Sequence, residues 1–178
     1  EGAYSFVFMT KKQLIAARDP HGFRPLCMGK LDDAWVFSSE SCAFDLIGAT
    51  YIREVEPGEM CIAGPDGMKS IRFAEQAKPL SQCIFEFIYF SRPDSKVFGE
   101  NVDKVRRELG RKLAEESSTE ADIVIAVPDS SNTIALGFAE ASKIPFELGL
   151  IRNHYVGRTF IEPRQRTRDW DVRIKFNP

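Results

Sequence analysis

The segment that most narrows the choice of fold is Ile123-Val124-Ile125-Ala126-Val127, an apolar run without interruption. A strand solvated on one face alternates apolar and polar residues, whereas an unbroken β-branched run is the pattern of a parallel sheet covered on both faces. Helical periodicity flanks the run on each side. Upstream, Val102, Val105, Leu109 and Leu113 recur at spacings of three and four and predict an amphipathic helix over about 101–117. Downstream, Ile134, Phe138 and Ala141 predict a second helix over about 131–142, and a short strand is expected over 146–151 after Pro145. Helix, strand, helix, strand at this rhythm indicates a parallel α/β sheet with crossover connections.

The first eighty residues have a different character. Short apolar runs at 4–9, 14–17, 35–37, 51–55, 60–62 and 69–73 predict strands, separated by Pro57-Gly58, Pro65-Asp66-Gly67 and the turn sequence Asp19-Pro20-His21-Gly22. Ser41 is placed to cap a short helix over Cys42 to Ile47. Ile84 to Phe90, broken only by Glu86, reads as one more strand. The change near Lys78-Pro79 sets an expected boundary at 76–82, giving domains 1–78 and 79–178.

Charge narrows the function classes. With 24 basic and 26 acidic side chains the net charge is −2, which excludes a polybasic nucleic-acid or membrane-surface protein. The charge is uneven, because residues 151–178 carry a net +4. Such a stretch either meets an anion or is a solvated arginine-rich loop, and charge alone leaves both open. No apolar run approaches the roughly 18 residues of a spanning helix. The start EGAYSFVFMT has neither an initiator Met nor a signal-peptide pattern, so a fragment or processed chain is expected. Cys27, Cys42, Cys61 and Cys83 lie too far apart for a self-contained zinc site, and reduced thiols in a cytoplasmic protein are expected.

Two places could carry chemistry. Val127-Pro128-Asp129-Ser130-Ser131-Asn132-Thr133 follows a strand and opens a helix, where ligands of open α/β sheets bind and free amides favour anions. Ordinary helix capping by Asp129 or Ser130 is the simpler explanation of the same residues. The phosphate-binding patterns GxxxxGK[ST] and GxGxxG are both absent. The second place is the tail from Arg152 to Ile161. There Arg158 beside Gly157 suits a phosphate clamp, and His154 without a partner suits structure better than acid–base work.

At this point the residues become recognisable. YVGRTFI at 155–161, FEFIYFSRPDS at 85–95, VPDSS at 127–131, RDPHGFRPL at 18–26, SSESCAFDLIGA at 38–49 and REVEPGEM at 53–60 are collinear over nearly the whole chain. Together they resemble the glutamine phosphoribosylpyrophosphate amidotransferases, or amidophosphoribosyltransferases. The resemblance implies the C-terminal part of an N-terminal-nucleophile glutaminase sandwich over 1–78. Over 79–178 it implies the first half of a type I phosphoribosyltransferase parallel sheet, with a flexible loop at about 152–175. The implied reaction joins ammonia from glutamine to phosphoribosyl pyrophosphate, giving 5-phosphoribosylamine at the first committed step of purine synthesis. The substrates would be glutamine and phosphoribosyl pyrophosphate, in a homo-oligomer without nucleic acid or membrane.

Residue by residue, the resemblance puts Tyr155, Gly157, Arg158 and Thr159 on the loop that covers the donor, and Ser130 near Mg²⁺. Cys83 matches a ligand of the [4Fe–4S] cluster in the cluster-bearing branch, although a buried structural cysteine is the rival reading. Departures from the family pattern are equally informative. The N-terminal nucleophilic cysteine has no counterpart at Glu1, and the double-acid phosphoribosyl pyrophosphate loop is not found before Pro178. No catalytic residue is therefore expected within this chain, which should be inactive alone and prone to self-association through faces such as Phe6 and Phe8. A different class, a non-enzymatic regulatory or binding module built on the same sheet, is the alternative.

Overall fold

The computed structural model describes residues 2–75, 79–117, 119–157 and 163–178. The chain divides into two compact units, Glu1–Asp103 and Lys104–Pro178.

In the first unit the strands are β1 (Ser5–Met9), β2 (Leu14–Arg18), β3 (Cys27–Leu31) and β4 (Ala34–Ser38). After the short helix α1 (Cys42–Ile47) come β5 (Thr50–Glu54), β6 (Glu59–Gly64) and β7 (Gly67–Arg72). They form two antiparallel sheets, ordered β1-β2-β6-β7 and β4-β3-β5. The core lies between them: Ala16, Met28, Val55 and Cys61 are almost wholly buried, with Trp35, Phe37 and Met68 packed against them. β1 is an edge strand, and Phe6 and Phe8 on it are 49% and 53% exposed. An exposed apolar edge of this kind is what strand addition or self-association needs.

Six predicted strands are present, but β3 was not anticipated. Its sequence CMGKL lacks alternation, and Gly29 at its centre sits where a Cβ would be 2.8 Å from the Thr50 carbonyl oxygen. Ser41 precedes α1 yet makes no side-chain cap; its Oγ accepts the Lys96 amide at 2.8 Å instead. Ile84 to Phe90 is not a strand. Residues Glu86–Phe90 wind into a wide helical turn, closed by the Ser91 amide on the Glu86 carbonyl at 3.0 Å. Glu86 decides this. It is 3% exposed, pairs with Arg24 at 2.8 Å and accepts Ser91 Oγ at 2.7 Å, while Ile84, Phe85, Ile88, Tyr89 and Phe90 are exposed. A buried carboxylate must be paired, so the one polar residue of the run faces inward.

Residues 81–103 also pack with the first unit, through Ser81 N to His21 O at 2.9 Å, Cys83 N to Phe23 O at 3.0 Å and Ser95 Oγ to Glu40 at 2.8 Å. The units accordingly part at Asp103 rather than at the expected 76–82. A small hairpin, β8 (Lys96–Val97) with β9 (Glu100–Asn101), leads into helix α2 (Val102–Glu116).

The second unit continues with β10 (Val124–Ile125), α3 (Asn132–Ser142), β11 (Phe146–Glu147), β12 (Ile151–Arg152), α4 (Gln165–Lys175) and β13 (Phe176–Asn177). β10 and β11 are parallel and joined through α3, as the rhythm predicts. β12 pairs antiparallel with β13, so the expected strand over 146–151 is split in two. The apolar run at 123–127 is less buried than its composition suggests, with Ile125 48% and Val127 62% exposed.

The helix faces are also rotated from expectation. α2 buries Val102, Arg106 and Gly110, leaving Leu113 exposed; α3 buries Ala135, Gly137 and Ala139, leaving Ala141 exposed. A Cβ on Gly110 would lie 1.9 Å from Ile134 O, and one on Gly137 would lie 2.1 Å from Arg107 O. Two glycines thus let the helices meet backbone to backbone. Where a loop was expected at 152–175, residues Gln165–Lys175 are helical. Among the described residues no helix is long and apolar enough to cross a membrane.

Candidate functional site

In the second unit the carboxyl end of β10 runs into the turn Pro128-Asp129-Ser130-Ser131, and α3 starts immediately after it. Capping by Asp129 or Ser130 is not what the structure shows. Ser131 occupies the cap position without a side-chain cap bond, and its hydroxyl donates back to the Val127 carbonyl. The Asp129 carboxylate pairs with the guanidinium of Arg152 at the end of β12. The Pro128–Asp129 peptide is cis. Ser130 is half-buried, and its hydroxyl has no protein partner among the described residues. Thr133 Oγ1 and Arg152 Nε are buried and unpartnered in the same neighbourhood.

A cavity of about 160 Å³ opens here, lined among others by Asp129, Asn132, Glu147, Gly149, Arg152 and His154. Its polar lining combines two acids, Asp129 paired with Arg152 and the exposed Glu147, with one guanidinium, an amide and an exposed imidazole, so an anionic group could enter only where Arg152 exchanges Asp129 for it and Glu147 stays solvated. His154 has no partner among the described residues and sits on an exposed turn, which does not equip it as a base.

The loop candidates fare differently. Tyr155 is 100% exposed, and its amide donates to Asn153 Oδ1 at 3.1 Å. Gly157 is exposed, with nothing within 4 Å of where a Cβ would stand. Arg158 and Thr159 lie outside the described residues. Cys83 is in the first unit, a free, half-buried thiol whose amide donates to Phe23 O. Cys27, Cys42 and Cys61 are buried and free. Burial, with Glu54 nearby, pushes the Cys27 thiol up to about 12, and burial with Glu59 pushes Cys61 up to about 11. They are inert packing residues rather than nucleophiles. Among the described residues no three His, Cys, Asp or Glu side chains are grouped to hold a metal.

Sequence reasoning singled out Asp129 and Ser130, and took in Asn132, Arg152 and Asn153 only as members of the two candidate stretches, with no role of their own. A legible signal for Arg152 existed, since it directly follows the apolar Leu150-Ile151 and so ends a strand beside the first turn.

The decisive comparison is with the amidophosphoribosyltransferase of Bacillus subtilis (strain 168), to which the chain is 56% identical over 177 residues, or 99% of its length. Along its whole length the chain is homologous to a segment of the amidophosphoribosyltransferases. It is likewise 56% identical over 179 residues to the chloroplastic amidophosphoribosyltransferase 1 of Arabidopsis thaliana. It covers 37% of the first relative and 31% of the second, about a third of their lengths. Residues 1–45 match the family described as glutamine amidotransferase domain. Among solved structures, it resembles B. subtilis glutamine phosphoribosylpyrophosphate amidotransferase complexed with ADP and GMP, with a TM-score of 0.85 at 55% identity. That match covers 99% of this chain and 39% of the other. A structure described as the allosteric regulatory enzyme of purine biosynthesis matches at a TM-score of 0.87 and 56% identity, covering 99% of this chain and 38% of that one. The amidophosphoribosyltransferase likeness therefore spans both units, whereas the glutaminase family match falls in the first alone.

Proposed function

We propose that the gene product carrying this segment is a glutamine-dependent amidophosphoribosyltransferase that makes 5-phosphoribosylamine from phosphoribosyl pyrophosphate and glutamine. The observation that carries the reading is the end-to-end identity of 56% to an amidophosphoribosyltransferase. In this reading the first unit carries the later strands of a glutaminase sandwich, and the second begins a type I phosphoribosyltransferase sheet whose covering loop starts after β12. A cytoplasmic homo-oligomer is part of the same proposal.

The chemistry asked of the second unit is stabilisation of a departing pyrophosphate while positive charge builds at the ribose carbon. Asp129, Ser130 and Arg152 stand at the strand ends where the phosphates would lie. The unpartnered Ser130 hydroxyl suits a contact with a Mg²⁺-bound water. Mg²⁺ keeps several waters and takes substrate oxygens, so a full set of protein ligands is not required of this segment. When bound, the ion supplies charge neutralisation for the leaving group. Tyr155, Gly157, Arg158 and Thr159 form the stretch that would cover the donor and exclude water. For a [4Fe–4S] cluster the fit is incomplete. Clusters of this type need four cysteine ligands, and here only Cys83 is both free and outside the buried core, so it supplies one thiolate at most.

The test is pyrophosphate release from phosphoribosyl pyrophosphate by the full gene product, with and without glutamine and Mg²⁺. Wild type should show dependence on both, and Arg158→Ala should lower kcat/KM about 100-fold or more, the size of effect seen for lost transition-state donors. Release that persists unchanged in Arg158→Ala would remove the loop assignment. No release from folded wild type would favour a binding module built on the same fold.

A further inference from the structure

We propose that Asn153 is a positioning residue that ties the two ends of the excursion 153–175 together and sets the turn carrying Tyr155. This rests on the reading that the excursion serves the phosphoribosyl donor. Asn153 follows β12, and every polar group it has is engaged. Its amide donates to Lys175 O at 2.7 Å and its side-chain Nδ2 donates to Ile174 O at 3.4 Å. Its Oδ1 accepts the Tyr155 amide at 3.1 Å, and its carbonyl accepts the Val156 amide at 3.2 Å.

The two donations go to the last carbonyls of α4, groups that no helix can satisfy internally. Asn153 thus finishes α4 from outside, taking the place of the residues that usually close a helix C-terminus. The other two bonds fold its own segment back as a turn. One residue therefore joins the end of α4 to the conformation of 153–156. The β12–β13 pairing of Ile151 with Asn177 and Arg152 with Phe176 continues the seam. Arg152, one residue earlier, is the guanidinium paired with Asp129. That cation and the exposed turn thus adjoin the same seam, and loss of the Asn153 side chain removes two of the four hydrogen bonds that Asn153 makes.

Amide hydrogen exchange and steady-state kinetics on the full gene product test this, using Asn153→Ala and Asn153→Asp. In Asn153→Ala, exchange over 151–156 and 174–177 should accelerate about tenfold, the scale of one to two lost hydrogen bonds. The KM for phosphoribosyl pyrophosphate should rise several-fold while that for glutamine stays unchanged. Asn153→Asp keeps the acceptor for the Tyr155 amide, so that amide should stay slow. The same variant puts a carboxylate against the negative end of α4, so exchange at 174–177 should still accelerate. Wild-type exchange rates in Asn153→Ala would overturn the clasp. Accelerated exchange with an unmoved KM would overturn the positioning role and leave a purely structural one. A wild type that releases no pyrophosphate would bring down the donor reading and the positioning role with it, while the exchange comparison would still decide the clasp.

Discussion

Arg53 grips Glu59 with both terminal nitrogens, Nη1 to Oε2 at 2.8 Å and Nη2 to Oε1 at 2.6 Å. Ser70 Oγ and the Glu56 amide donate to the same carboxylate at 2.5 and 2.7 Å. Burial by itself would raise the Glu59 pKa, but the hydrogen bonds from Arg53, Ser70 and Glu56 outweigh it and hold the carboxyl at about 2 against an ordinary 4.5. A carboxyl depressed on folding adds stability that is complete above its unfolded pKa and lost as pH falls towards its folded one. The urea midpoint of the first unit should therefore hold level above 4.5 and fall between 4.5 and about 2. Glu59→Gln should lower the midpoint at neutral pH and flatten that acid limb. A limb of equal steepness in the variant would show that other carboxylates govern it.

Helix contact in the second unit depends on two absent side chains. Gly110→Ala and Gly137→Ala each drive a methyl into backbone, and each should destabilise the protein by about 1–3 kcal/mol or more. Leu113→Ala on the exposed side of α2 should stay within about 0.5–1 kcal/mol. Chemical denaturation followed by a probe in this unit compares the three. Equal losses at all positions would contradict close packing of α2 on α3.

Asp19 is fully buried, and its two oxygens accept the amides of Tyr4, His21 and Phe23 at 3.3, 2.9 and 3.2 Å. It organises the turn that brings Arg18 inward, where Nη1 reaches Val55 O at 2.8 Å and Glu54 at 3.2 Å. Asp19→Ala should cost about 3 kcal/mol, the scale of lost hydrogen bonds to a charged group. Asp19→Asn should cost less, because an amide oxygen still accepts. Equilibrium unfolding separates them, and a neutral Asp19→Ala would refute the turn's dependence on this carboxylate.

These sites show what the sequence could and could not convey. The alternating strands and the turn at Asp19-Pro20-His21-Gly22 were legible because their causes are local. The parallel pair flanking α3 was legible from the apolar run and its flanking periodicities. Glu86 was not, because a lone acid in an apolar stretch looks like an interruption until Arg24 and Ser91 are seen around it. Gly110 and Gly137 hid the true faces of α2 and α3, since a hydrophobicity pattern gives no weight to a residue whose contribution is to have no side chain. At the site, Asp129 and Ser130 were visible from the strand-to-helix junction. Arg152 and Asn153 needed the pairing of β12 with β13, a contact between residues far apart in sequence.

Native thiol labelling should follow burial. Cys83 should react quickly with a small alkylating reagent, while Cys27, Cys42 and Cys61 react only on unfolding, since all three are buried and the first and third are also held protonated. Peptide mass spectrometry after a timed pulse reads each site. Rapid labelling of Cys61 would contradict the core described between the two sheets.

The central claim concerns where nitrogen goes, and a tracer tests it most directly. The full gene product would be given glutamine labelled with ¹⁵N in its side-chain amide, together with phosphoribosyl pyrophosphate and Mg²⁺, and the phosphoribosyl product would be trapped for mass analysis. The predicted result is one ¹⁵N in the product amine for each pyrophosphate released. Pyrophosphate release without label in the product, or glutamine hydrolysis with no phosphoribosyl amine formed, would contradict the assignment.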